Sequence, residues 1–229
     1  MGVGGAHPGG LHLTKKILMK EDINPSCSIL DAGCGTGQTS AYIAENYGCQ
    51  VTAIDSNQLM IEKARTRFHN LNLSIETIVE NTESLPFPNN YFDIVLSESV
   101  IIFTELSRTL QEFNRVLKPN GKLIAIEMVL EKPLSKSERE EIMQFYDIPR
   151  LLVEDEWKGE FTQAGFKHIF IEREEEKINQ LGQNNIPDFL FSEHVDNEVF
   201  FVMEKHKLLN LKYLESLGFR VFTCCKAIP

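Results

Sequence analysis

The chain has 229 residues, 42% hydrophobic and 24% charged, the balance of an ordinary globular protein with enough length to bury a sizeable core. A formal net charge of −10, with no Lys/Arg block standing out from it, speaks against general binding to nucleic-acid backbone. Five cysteines without a C-x-x-C pair fit reduced thiols better than a disulfide frame or a zinc site.

The opening, MGVGGAHPGGLHLTKK, is a glycine-rich arm followed by a helix beginning near Leu11. It has no basic segment leading into a long apolar run, and no stretch of the chain is long enough to span a bilayer, so a cytoplasmic protein without a membrane partner is expected. Strand-like runs then follow in order: SILDAG, QVTAID, LSIETIV, FDIVLS, KLIAIEM, FKHIFIE and FRVFTCC. In the last of these, the adjacent Cys224 and Cys225 read as the two faces of a strand. Helical patterns separate the runs. Leu106, Leu110, Phe113 and Leu117 recur on one helix face, and Gly48 and Gly121 stand where helices give way to strands. This alternation predicts one α/β domain over 1–229, a mostly parallel sheet covered on both faces, with its ligand crevice beyond the carboxyl ends of the strands.

After the fifth strand the chain reads as a helix, a turn near Pro149 and a second helix running to Gly165. The sixth strand exits through EREEEK, a solvated charged run. A long stretch then precedes the last strand. Val199, Phe200, Met203, Leu208, Leu211 and Leu214 give it a partly helical apolar face. The expectation is a helical cap over 174–217 that packs over a substrate pocket, with a dimerisation surface as the alternative.

The most informative stretch is ILDAGCGTGQTSAYIAENYGCQVTAIDSN. Asp31 ends a strand, and Gly33, Gly35 and Gly37 allow a tight turn and close ligand approach. The helix Gln38 to Tyr47 turns its amino end to the crevice. Asp55 ends the next strand, 18 residues after Gly37, where a carboxylate can accept both hydroxyls of an adenosine ribose. On this evidence a nicotinamide dinucleotide and S-adenosylmethionine remain tied.

Two later stretches break the tie. VENTESLPFPNNYFDIVLSES leads into the fourth strand, and EFNRVLKPNGKLIAIE couples a helix, a turn and the fifth strand. With LDAGCGTG they resemble the class I S-adenosylmethionine-dependent methyltransferases, especially the small-molecule branch of ubiquinone and menaquinone biosynthesis. The resemblance implies a Rossmann-like doubly wound seven-stranded sheet with an antiparallel last strand. It implies S-adenosylmethionine as cofactor, S-adenosylhomocysteine as product and a small-molecule methyl acceptor as partner; an activated methyl donor needs no metal in principle and no ligand cluster stands at metal spacing, so no metal is expected, and a monomer or homodimer both remain open.

Carried over by position, the resemblance puts the methionine part of the cofactor against Asp31, Gly33 and Gly35, with Cys34 and Gly37 completing the turn. Asp55 holds the ribose, and Ser56 and Met60 border the adenine. Asn81 stands where the family commonly has an acid for the adenine amino group, with Thr82 beside it. Ser97 backs the methionine end through its backbone.

Methyl transfer from a sulfonium needs alignment and exclusion of water more than it needs a base. His7, in the arm, and Glu98, at the end of the fourth strand, are the catalytic candidates. Tyr146 and His194 are candidates for the acceptor site. Two other classes stay open: an NAD-dependent oxidoreductase and a non-catalytic S-adenosylmethionine-binding module.

Overall fold

The computed structural model describes residues 2–4, 7–173, 188–190 and 197–227. In chain order the elements are β1 (Gly2–Gly4), α1 (Gly10–Leu18), β2 (Ser28–Ala32), α2 (Gln38–Tyr47), β3 (Gln50–Asp55), α3 (Gln58–Asn70), β4 (Glu76–Val79) and β5 (Phe92–Glu98). A short 3₁₀ turn (Ile101–Phe103) follows, then α4 (Leu106–Val116), β6 (Leu117–Leu130), α5 (Lys136–Tyr146), α6 (Glu154–Gln163), β7 (Phe166–Glu172), β8 (Asp188–Leu190), α7 (Asn197–Lys212) and β9 (Leu217–Lys226).

Seven strands form one sheet in the order β4-β3-β2-β5-β6-β9-β7. The first five of that order run parallel, whereas β9 is antiparallel to both β6 and β7. The fold is thus the Rossmann-like doubly wound sheet with an antiparallel last strand. Strand order reverses between β2 and β5, so the crevice of such a sheet opens beyond their carboxyl ends.

Burial on both sheet faces explains the near-continuous apolar strands. Leu30, Val95, Leu123 and Ala125 point to one face and pack with Leu110, Phe113, Trp157 and Phe161 from α4 and α6. Their chain neighbours Ile29, Ile94, Leu96, Ile124 and Ile126 point to the other face, against Leu13, Ile17 and Ile43 from α1 and α2. The stripe expected around Leu106 is buried as one face of α4, ending on Leu117 at the start of β6. Gly48, at φ 61°, closes α2 in the left-handed conformation that glycine adopts without cost. Cys224 is buried and Cys225 only partly so, as strand alternation requires.

Two features depart from the sequence pattern. The arm is not a free tail at its start, because β1 pairs antiparallel with β8, joining it to the stretch between β7 and β9. The apolar face expected for α7 is also different. Leu208, Leu211 and the following Leu214 are exposed, while Leu209 and Tyr213 are buried in the cluster that contains Ile142 of α5. Val199, Phe200 and Met203 have side chains outside the described residues. Lys212 and Tyr213 both donate to Glu141 at 2.6 Å, fastening the end of α7 to α5.

Candidate active site

The glycine turn between β2 and α2 is held from β3. Gly33 and Cys34 donate their N–H groups to the Ile54 carbonyl, both at 2.9 Å. Gly35 N–H donates to Asp55 Oδ2 at 3.0 Å, and Asn57 N–H to Asp55 Oδ1 at 2.8 Å. Gly33 (φ 82°) and Gly37 (φ 76°) are glycines by necessity: an added Cβ would lie 2.3 Å from Val100 Cγ2 at the first and 2.5 Å from Phe68 Cζ at the second.

Beside this turn lies a cleft of about 320 Å³ lined by Gly33, Asp55, Ser56, Glu80, Asn81, Thr82, Glu98, Ser99, Val100, Phe103 and Thr104. It sits beyond the carboxyl ends of β2, β3 and β5, at the reversal in strand order. Three of its side chains are carboxylates and, among the described residues, none is Lys or Arg. The cleft therefore favours a cation and opposes a pyrophosphate. Behind it, the buried Asp31 accepts the Ser40 hydroxyl, and burial, with Glu98 and Asp55 adding their charge, pushes its carboxyl up to about 7.

Glu98 joins four parts of the chain. Thr14 of α1 donates to its Oε1 and Thr39 of α2 to its Oε2, while His7 Nε2 stands 3.4 Å from Oε1. His7 is itself buried, with Nδ1 3.1 Å from the Pro8 carbonyl. Thr14 Oγ1 also lies 3.3 Å from Nε2, so both ring nitrogens have polar neighbours outside the cleft lining. The two catalytic candidates read from sequence are in contact, although they are 91 positions apart and Glu98 alone lines the cleft.

Of the residues read as cofactor-binding, Gly33, Asp55, Ser56, Asn81 and Thr82 line the cleft. Asn81 Oδ1 accepts the Glu83 N–H at 2.9 Å, so one lone pair of the carbonyl expected to meet adenine is used in a turn. Thr82 Oγ1 lies 3.3 Å from that of Thr109. Asp31, Cys34, Gly35, Gly37, Met60 and Ser97 do not line the cleft. Burial pushes the Cys34 thiol far up, so it stays protonated and unreactive, and the Ser97 hydroxyl is buried without a partner among the described residues. Tyr146 lies at the end of α5, in a separate cavity against α7. His194 lies outside the described residues.

The sequence reading missed Glu127, in the apolar run of β6. It is fully buried, and its Oε1 accepts the N–H of Val100 at 3.2 Å and of Ile101 at 2.9 Å, while Oε2 accepts that of Ile102 at 3.4 Å. Burial pushes its carboxyl up to about 8, against the pull of these three donors. The segment it holds begins at Ser99, whose φ of 57° is costly for a non-glycine residue. Val100 then packs on Gly33, and Phe103 and Thr104 complete the wall. Glu127 thereby shapes the cleft without lining it. The signal was a lone acid inside IAIEM, where an interior position needs backbone partners.

A methyltransferase domain model matches residues 30–125. The chain is 38% identical to the uncharacterized methyltransferase YodH of Bacillus subtilis (strain 168) over 229 residues, covering 98% of this chain and 95% of that one. It is 31% identical to the glycine/sarcosine/dimethylglycine N-methyltransferase of Actinopolyspora halophila, covering 67% of this chain and 28% of that one. The structure of Haemonchus contortus phosphoethanolamine N-methyltransferase 2 in complex with S-adenosyl-L-methionine matches the fold with a TM-score of 0.80 at 21% identity, over 98% of this chain and 54% of that one. With the acidic cleft at the switch point of the sheet and a relative matched along nearly its whole length, the chain belongs to the S-adenosylmethionine-dependent methyltransferases.

Proposed function

We propose that the protein transfers the methyl group of S-adenosylmethionine to a small-molecule acceptor, leaving S-adenosylhomocysteine. The observation that carries this reading is the cleft lined by Asp55, Glu80 and Glu98 without a basic residue among the described ones, which suits a cofactor bearing a sulfonium and an ammonium group. Asp55 holds the ribose, Ser56, Asn81 and Thr82 border the adenine, and the Gly33–Gly35 turn with Asp31 behind it receives the methionine part.

S-adenosylmethionine supplies a methyl group already activated on sulfur. The chain's part is to bind, align and keep water out, and alignment of this kind lowers barriers by about 7 to 11 kcal/mol in favourable systems. Glu98 faces the positive charge in the cleft, and His7, which touches Glu98 without lining the cleft, positions it. The helices α5 and α7 cap the acceptor side. A small molecule is favoured over nucleic acid by the net charge of −10. No helix among the described residues is long and apolar enough to cross a membrane, and the cytoplasm is the proposed location.

Incubation with S-adenosylmethionine labelled in its methyl group tests the proposal. Cell extract is first split into small molecules, protein and nucleic acid. Label is expected in a small molecule other than S-adenosylmethionine itself, separated from the donor by chromatography, and in no macromolecule; transfer to protein or nucleic acid would replace the acceptor class. No transfer to any fraction, with the cofactor bound, would support a binding module instead.

A further inference from the structure

The buried stripe of α4 contains one polar residue. Thr109 is fully buried beside Leu106, Leu110 and Phe113, where a hydroxyl needs a partner. It has two, and both line the cofactor cleft: Thr104, at the end of the wall that Glu127 holds, and Thr82, in the loop after β4. Thr109 itself does not line the cleft.

The protons of these three hydroxyls follow from one another. Thr104 Oγ1 stands 2.8 Å from the Ile101 carbonyl, which can only accept, so Thr104 donates there. With its one proton committed, Thr104 accepts the Thr109 hydroxyl at 2.8 Å. Thr109 then has no proton left for Thr82, whose Oγ1 is 3.3 Å away, and Thr82 donates to it. Each bond in such a row strengthens the next. The consequence falls on the cleft: the Thr82 oxygen keeps its lone pairs and has no proton to give.

Both ends of the row are anchored. Thr104 follows the 3₁₀ turn whose Ile101 and Ile102 N–H groups Glu127 accepts. Glu105 N–H donates to Glu83 Oε1 at 3.0 Å, tying the start of α4 to the Thr82 loop. The neighbouring Asn81 Oδ1 already accepts the Glu83 N–H. Thr82 is therefore an oxygen that only accepts, in the part of the cleft assigned above to the adenine. An amino group donates to such an oxygen, whereas an oxo group sets lone pair against lone pair.

We propose that Thr109 is a positioning residue of the cofactor site: it takes the Thr82 proton, and so leaves Thr82 as an acceptor that selects an amino-bearing purine over its oxo counterpart. The proposal rests on the placement of the adenine in the methyltransferase reading above.

The test titrates the full chain calorimetrically with S-adenosylhomocysteine and with S-inosylhomocysteine, in which an oxo group replaces the adenine amino group. The quantity read is the ratio of the two affinities. Thr109→Val keeps the side chain's shape and removes its hydroxyl, freeing the Thr82 proton to turn to the cleft. The preference for S-adenosylhomocysteine should then fall about tenfold, as the exchange of one hydrogen bond dictates. Thr109→Ser keeps the hydroxyl and should keep the wild-type ratio, whereas packing alone would rank valine, the closer match in shape, above serine. Thr82→Val should also lower the ratio, by weakening S-adenosylhomocysteine and not the oxo compound. Equal binding of the two compounds by the wild type, a wild-type ratio in Thr109→Val, or the same loss in Thr109→Ser as in Thr109→Val overturns the proposal. Should Thr109→Val not fold, Thr82→Val decides, because an unchanged ratio there overturns it as well. A wild-type chain that binds neither compound would instead defeat the methyltransferase reading.

Discussion

Asp55 spends one carboxylate oxygen on the Gly35 N–H and the other on the Asn57 N–H, so its charge fixes the shape of the turn while facing the cleft. Asp55→Asn replaces one acceptor with a donor and removes the charge. Because hydrogen bonds to charged groups contribute about 1.5 to 3 kcal/mol, S-adenosylmethionine affinity should fall about 10- to 150-fold in a calorimetric titration, and an unchanged affinity would remove Asp55 from the site. Glu127 makes a different prediction, about pH. Its carboxyl is raised from 4.5 to about 8 in the folded chain, so between those values the folded state keeps a proton that the unfolded state has released. Its contribution to stability is complete below pH 4.5 and is lost as pH rises through 8. Asp31, raised from 3.8 to about 7, acts in the same direction. The melting temperature should therefore decline from pH 5 to pH 8, and less steeply in Glu127→Gln; parallel slopes for the two proteins would contradict the assignment.

Among the elements, the turn between β2 and α2 depends on the wall that Glu127 holds. Gly33→Ala puts a methyl group 2.3 Å from Val100 Cγ2 at a φ of 82°. Either the turn or the Val100 segment must move. Thermal melts should show a loss of about 1 to 2 kcal/mol from the backbone conformation alone, and cofactor binding should be lost at concentrations that saturate the wild type; wild-type binding would mean that the wall yields freely. The glycine turn was readable because strand, turn, helix and Asp55 fall in one short stretch. The strands of the main sheet were readable from apolar runs and helical spacing. The pairing of β1 with β8 was not, since three residues of glycine and valine carry no alternation to recognise. The packing face of α7 was misread for a related reason. Apolar side chains stand on both its sides, so spacing alone did not separate the buried Leu209 and Tyr213 from the exposed Leu208 and Leu211.

Across the whole molecule, the insertion of β9 between β6 and β7 brings a charged knot into the sheet. The Arg220 guanidinium is buried, reaching both oxygens of Glu131 and one of Glu154. It ties β9 to the end of β6 and the start of α6. Removing one partner of a buried ion pair leaves uncompensated charge and costs about 3 to 5 kcal/mol; the carboxylates here are partly solvated, so Arg220→Ala should fall toward the lower end in a urea titration. A change within error would show that solvent replaces the guanidinium. Chain-wide contacts of this kind explain what local reading left out. The contact of His7 with Glu98 and the grip of Glu127 on three successive N–H groups each join segments far apart in sequence, where no spacing rule applies. The fold class and most of the cleft's lining came from short motifs, whereas the cleft's sign of charge emerged only when Asp55, Glu80 and Glu98 were brought together.

That sign of charge is the central claim, and parallel calorimetric titration of the purified protein with S-adenosylmethionine, S-adenosylhomocysteine and NADH tests it most directly. Micromolar binding of the first two is expected and none of NADH, whose pyrophosphate would meet three carboxylates in the cleft. Binding of NADH with no heat from S-adenosylmethionine would contradict it.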